Sequence, residues 1–231
     1  MKLKNKLQGS FFLCLFLAVV SFEATAQEIK EELSGFSEIK VFNGVEVELI
    51  PSDRNSISIT GHSKEKVKFE VVENRLEIKL SLENIWADDN TLVRVHASGV
   101  EVIDANEGSI VDVKEKLETE SVTLRAQEGA AIYVQVESVR LNAKAVTAGI
   151  VQVRGKTRDL DAEVNTGGKF FGKDLRSEEA EVSTGTGGQV EVNASKYAKA
   201  TARLGGVINV YGNPKTLDSK TSLGGKIIEK N

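Results

Sequence analysis

Apolar residues in the second half of this chain keep a nearly fixed distance from glycines. Gly108, Gly129, Gly149, Gly168, Gly188, Gly206 and Gly225 are separated by 21, 20, 19, 20, 18 and 19 residues. The second residue after each is Ile110, Ala131, Val151, Phe170, Val190, Ile208 or Ile227, all apolar in a chain that is 40% hydrophobic. A period near 20 that joins a turn glycine to a short alternating segment predicts a β-solenoid. Each coil reads as a strand, a Gly turn, a second strand and a polar return. Val122–Arg125 followed by Ala131–Val136 is one example, and Ala180–Ser183 followed by Gln189–Val192 is another. Val, Ile and Thr recur there at alternating positions, as half-buried strands require. One coil cannot bury its inward face alone, but coils stacked at roughly 4.8 Å align those positions into apolar ladders. The predicted fold is all-β: a single-chain parallel β-helix of about 20 residues per coil, with right-handed coils expected.

The doubled glycines Gly167-Gly168, Gly187-Gly188, Gly205-Gly206 and Gly224-Gly225 fit coil corners. Glycine adopts positive φ without a Cβ clash and lets neighbouring backbones approach. A phosphate cradle would need such a turn to open a helix, whereas here each pair opens a strand such as Val207-Ile208-Asn209-Val210. Six residues before the register glycines stand Val102, Thr123, Ala143, Ala162, Val182, Ala200 and Ser219, all small or β-branched. If that ladder faces inward, the coil is thin and flattened.

The rest of the chain divides by pattern. Residues 1–26 read as a signal peptide, with basic Lys2, Lys4 and Lys6, an apolar Phe11–Val20 run and small Ala24-Thr25-Ala26 before Gln27. That run is short of the roughly 20 residues a spanning helix needs, so no membrane insertion of the mature chain is expected. Residues 27–35 form a polar leader. Residues 36–99 carry less regular strand-like stretches, read either as degenerate coils or as a cap, and residues 100–231 form the regular solenoid. Some cap is required, because an open coil edge invites strand pairing.

Charge and cysteine content narrow the function. Without residues 1–26 the chain carries 27 basic and 33 acidic side chains, a net charge of −6. Nucleic-acid binders display clustered Lys and Arg instead. The single cysteine, Cys14, leaves with the signal, which excludes disulfides, thiol nucleophiles and Cys-ligated metals from the mature chain. The two histidines, His62 and His96, sit in a turn and at a strand end, and no Gly-x-Ser-x-Gly elbow is present. Acidic pairs are Asp159 with Asp161 and Asp104 with Asp112. The densest acidic loop, Asp88-Asp89-Asn90, lies beside the only tryptophan, Trp86. Trp86, Asp88 and Asp89 are therefore the candidate ligand-binding residues, although the loop lacks the spaced carboxylates of a calcium site. The aromatics Tyr133, Phe171, Tyr197 and Tyr211 share no register along the glycine count. No catalytic residue, metal site or cofactor is predicted.

Phe36-Ser37-Glu38-Ile39-Lys40-Val41, the alternating Val45–Leu49, the Gly-Gly corners, Gly206-Val207-Ile208-Asn209-Val210-Tyr211-Gly212-Asn213-Pro214 and Ser222–Ile227 together carry a resemblance. In these the chain resembles the head GIN domain family of auto-transporter adhesins, over about Phe36 to Ile228. The resemblance implies a β-helix in an envelope protein of Gram-negative-type bacteria and brings no catalytic residues. An auto-transporter's own barrel needs many strands of about 9–11 residues, for which the signal and solenoid leave no room, so other machinery is expected to carry the chain.

These readings lead to an exported, non-enzymatic protein of the periplasm or cell surface, binding or scaffolding through stacked β-faces. The expected partner is an extended ligand, a glycan or an envelope protein. Two alternatives remain at this level: a carbohydrate-active enzyme using Asp159 and Asp161, and a self-associating element in which coils of a homo-oligomer stack end to end.

Overall fold

A computed structural model describes residues 28–81 and 91–230. Its strands in chain order are β1 (Ile29–Glu32), β2 (Glu38–Val41), β3 (Glu46–Pro51), β4 (Ser56–Thr60), β5 (Val67–Val72), β6 (Arg75–Leu80), β7 (Leu92–Ala97), β8 (Val102–Ala105) and β9 (Ile110–Val113). Longer strands follow: β10 (Leu117–Gln127), β11 (Ala131–Val146), β12 (Ile150–Val164), β13 (Lys169–Thr184) and β14 (Gln189–Ala202). The chain closes with β15 (Val207–Tyr211), β16 (Thr216–Thr221) and β17 (Lys226–Glu229). From β8 onward they wind a parallel β-solenoid of about seven turns, about 19 residues each.

Each coil has two arms. A leading arm follows the tight turn, and a return arm runs back to the next turn. The long strands contain both, bending between them near Gly155–Arg158 of β12, where the inward alternation skips from Thr157 to Leu160. One inward ladder on the leading arm is Val47, Val111, Ile132, Val151, Phe170, Val190, Ile208 and Ile227. Facing it on the return arm stand Ile103, Leu124, Ala143, Ala162, Val182 and Ala200. All of these are buried except Ile227, which packs against the same single core.

The ladders correct the glycine register at its first two coils. Ile110 and Ala131 pair with Ile150 and Lys169, one residue before the apolar ladder, and Val102 and Thr123 likewise precede the inward Ile103 and Leu124. The return side is therefore thick at its N-terminal end and becomes thin only from Ala143 on. Gly108 and Gly129 occupy a different turn position from Gly149, Gly168, Gly188, Gly206 and Gly225.

The two positions have separate physical needs. In the turn Asn165-Thr166-Gly167-Gly168, Thr166 and Gly167 have φ of 51° and 72°, and the Gly168 N–H donates to the Asn165 carbonyl at 3.0 Å. Two consecutive left-handed residues closed by that bond make a type I′ turn, which favours glycine at its second central position. Gly108 and Gly129 take that place with φ of 72° and 78°. The following residue is extended and inward. Ser109 and Ala130 fill it in the early coils, but a Cβ on Gly149, Gly168 or Gly225 would lie 2.0–2.2 Å from a carbonyl oxygen of the coil before. Those glycines are required by close approach.

The N-terminal coils are out of chain order. β2–β3 form a coil lying between β6–β7 on one side and β8–β9 on the other. Beyond β6–β7 the strands turn antiparallel: β5 on β6, β4 on β7 and β1 on β4. Segment 36–99 thus contributes both coils and an end covering. Residues 29–32, expected in a polar leader, form the outermost strand of that covering.

Two outcomes test the corner geometry. Ala148 holds the turn position glycine prefers, with φ 63°. Ala148→Gly should stabilise the protein by about 0.5–1 kcal/mol, a rise of a few degrees in Tm by thermal melting. Gly168→Ala should cost about 3 kcal/mol or more in urea denaturation, because backbone must move to admit the methyl group. Equal, small effects of both changes would contradict the division of roles.

Candidate functional site

The outward face of the leading arm carries the most distinctive surface. Its middle ladder reads Glu48, Asp112, Tyr133, Gln152, Phe171, Glu191, Asn209 and Ile228, one residue per coil. Tyr133 and Phe171 therefore do share a register, two coils and about 9.6 Å apart at the usual strand spacing. The glycine count hid this, because it shifted the early coils by one residue.

Around these rings lies a hollow of about 610 Å³, floored by Tyr133, Gln152, Phe171 and Glu191 and walled by Gln135, Arg154, Lys173 and Asp174. A second hollow of about 610 Å³ continues along the stack, lined by Lys173, Asp174, Arg176, Asn193, Tyr211 and Lys230. The ridge between them comes from β13. From Phe171 to Arg176 this strand takes five steps while β14 takes two, from Glu191 to Asn193. The surplus pushes Lys173 and Asp174 outward. Asn193 secures the bulge by donating its Nδ2 to the Lys173 carbonyl at 2.9 Å, and the Lys173 ammonium lies 5.3 Å from the Tyr211 ring centroid, within cation–π reach.

Packing beneath explains why this coil departs from its neighbours. Phe170 is fully buried, where flanking coils carry Val151 and Val190. Its ring takes the space of the next inward side chain, so a Cβ on Gly172 would meet it at 2.5 Å. The Phe-Phe-Gly run at 170–172 and the 20-residue spacing between spacings of 19 and 18 were the sequence signals for this bulge.

Other sequence candidates fall elsewhere. Trp86, Asp88 and Asp89 lie outside the described residues. His62 is an exposed turn residue, and His96 stands in β7 opposite Ile50. Asp104 is buried on the return arm, accepting from Asn106 Nδ2 at 2.9 Å, while Asp112 faces outward on the leading arm and pairs with Lys114 at 2.6 Å. Asp159 and Asp161 line neither hollow. Hydrogen bonds from Arg158 hold the Asp159 carboxyl below its ordinary pKa, whereas burial, then the nearby Glu181 and Glu163, push Asp161 up. No group of three or more metal-ligating side chains exists among the described residues.

The family described as "Putative auto-transporter adhesin, head GIN domain" matches residues 35–214. The chain belongs to the head GIN domain family. Solved structures share its fold. A Bacteroides fragilis protein described as a putative adhesin has a TM-score of 0.80 at 16% identity, covering 88% of this chain and 96% of its own. A putative adhesin from Parabacteroides distasonis gives 0.69 at 19% identity, with the same coverage of 88% and 96%. A further P. distasonis protein, described as a putative lipid binding protein, gives 0.68 at 13% identity, covering 89% and 96%. No curated protein matches the head GIN chain in sequence.

The bulge and the carboxylates each generate a test. Gly172→Val alone should destabilise by about 1–3 kcal/mol through overpacking. Phe170→Val/Gly172→Val, which copies the Val-x-Val of β12 and β14, should recover most of that loss in urea titrations; additive losses would contradict the packing account. At Asp161 the folded state holds its proton more tightly than the unfolded chain, so this residue favours folding as pH falls through its folded pKa. Asp161→Asn should therefore raise Tm at neutral pH and flatten its dependence on mildly acidic pH. An unchanged Tm–pH profile would refute the shift.

Proposed function

We propose that this head GIN protein is a non-enzymatic, adhesin-like binding module of the cell envelope that takes an extended ligand on its leading-arm face. The observation that carries the reading is the Tyr133–Gln152–Phe171 ladder at the floor of an outward hollow. Tyr133 is 37% exposed, which leaves an aromatic ring accessible on this face. Amides at Gln135 and Gln152 lie beside the rings, so one surface offers stacking and hydrogen bonding together. Repetition along the stack suits a ligand that is itself repetitive, which favours a glycan over a compact small molecule.

Export to the envelope agrees with the signal-like first 26 residues and with the adhesin description of the family. No helix among the described residues is long and apolar enough to cross a membrane.

The test is retention on a panel of immobilised envelope and extracellular glycans. Tyr133→Ala/Phe171→Ala should weaken the strongest retained glycan about tenfold or more while leaving Tm nearly unchanged, from two stacking contacts of about 0.5–1.5 kcal/mol each. Retention that survives the double substitution, or a panel that retains nothing, would overturn the reading.

A further inference from the structure

The two hollows collect cations that the rest of the fold does not neutralise. Arg154 walls the first, Lys173 stands on the ridge between them, and Arg176 and Lys230 line the second. None of the four forms an ion pair among the described residues. Some cations elsewhere are coupled. Glu137 bridges Lys116 and Lys156 at 2.9 and 3.1 Å, Lys196 meets Glu178 at 2.6 Å, and Lys199 meets Glu181 at 2.7 Å. Three acids share the lining: Asp174 and Glu191, which form no ion pair among the described residues, and Asp112, which pairs with Lys114. The first hollow thus sets Arg154 and Lys173 against Asp112, Asp174 and Glu191, and the cationic excess of this face lies in the second, where Lys173, Arg176 and Lys230 meet Asp174 alone beside Tyr211.

We infer that the ligand of this face is an acidic polysaccharide, bearing carboxylate or sulfate groups, held by Arg154, Lys173, Arg176 and Lys230. The inference rests on the reading that the leading-arm face is the binding surface, and it adds the chemistry of the ligand. Guanidinium groups suit this task because their fork matches two anionic oxygens at once. From Tyr133 through Phe171 to the coil of Tyr211 is four coil steps, about 19 Å at the usual spacing, which gives anions repeated along a polymer several cations to meet. Gln152 and Asn193 lie between the cations as partners for hydroxyl groups. A lipid headgroup would meet the same charges, but the lining of both hollows is more polar than apolar, which suits sugar hydroxyls better than acyl chains.

The test uses two matched pairs of polymers on the whole protein: polygalacturonate against its methyl-esterified form, and dextran sulfate against dextran. At least one acidic member should bind about tenfold or more tightly than its neutral partner, and raising salt from about 0.05 to about 0.5 M should remove most of that margin. Arg154→Gln/Arg176→Gln should weaken the acidic polymer about five- to tenfold and leave neutral binding unchanged. Equal binding within both pairs, or an unaffected double variant, overturns the inference. The face itself stands in that case if Tyr133→Ala/Phe171→Ala still removes binding, and falls if it does not. Binding to anionic phospholipid vesicles but to neither acidic polymer overturns the polysaccharide assignment in favour of a lipid.

Discussion

Every coil of this protein must reverse direction between its return and leading arms while keeping its peptides in register with the coils on either side. The type I′ turn meets both demands. Its first central residue points a carbonyl along the stack, and the N–H of the second central residue in the preceding coil donates to it: Gly108 to Glu128, Gly129 to Thr147, Ala148 to Thr166 and Gly167 to Thr186, all at 2.9–3.0 Å. The turns are thereby hydrogen-bonded to one another like the strands, so the ladder continues around the corner. Left-handed φ at two consecutive residues is the local condition for this, and glycine is its chemical expression. Register in the arms follows, and with it the alternation that sends Val, Ile and Ala inward and leaves the outward ladders to vary.

That freedom of the outward positions is what makes a binding surface compatible with so repetitive a core. On the return side and its corner, outward positions are filled by complementary charges, a solvated surface in which each exposed pair contributes little to stability. On the leading side the same positions hold Tyr133, Gln152 and Phe171, and one coil is enlarged beneath them. The Phe170–Gly172 exchange conserves core volume while altering the backbone path, and the displaced Lys173 and Asp174 give an otherwise flat sheet its relief. Site and fold are joined through that single coil.

Much of the architecture was legible in the residues. The period, the parallel coils and the corner role of the doubled glycines follow from spacing and from glycine's freedom at φ. The register of the first coils was not legible, because a glycine can serve either of two adjacent turn positions, and Ser109 and Ala130 stand where later coils need Gly149 and Gly168. That one-residue ambiguity also concealed the aromatic ladder, since a shift of one exchanges inward and outward faces. The passage of β2–β3 between β6–β7 and β8–β9 could not be read either, because pairing between segments distant in sequence leaves no periodic trace. The site expected at Trp86, Asp88 and Asp89 drew on local composition. The surface described on the leading arm is assembled from residues some 20 positions apart, where only correct stacking brings them together.

The central claim is that the leading-arm face, between the coil of Tyr133 and that of Tyr211, is where this protein meets its ligand. Backbone amide NMR on the isotope-labelled protein, titrated with short oligomers of an acidic polysaccharide, tests it most directly. The account predicts perturbations concentrated at Tyr133, Gln152, Phe171, Lys173, Asn193 and Tyr211, with the return-arm amides of the same coils unmoved. Perturbations confined to the return arm or to the N-terminal covering strands, or none at saturating oligomer, would contradict it.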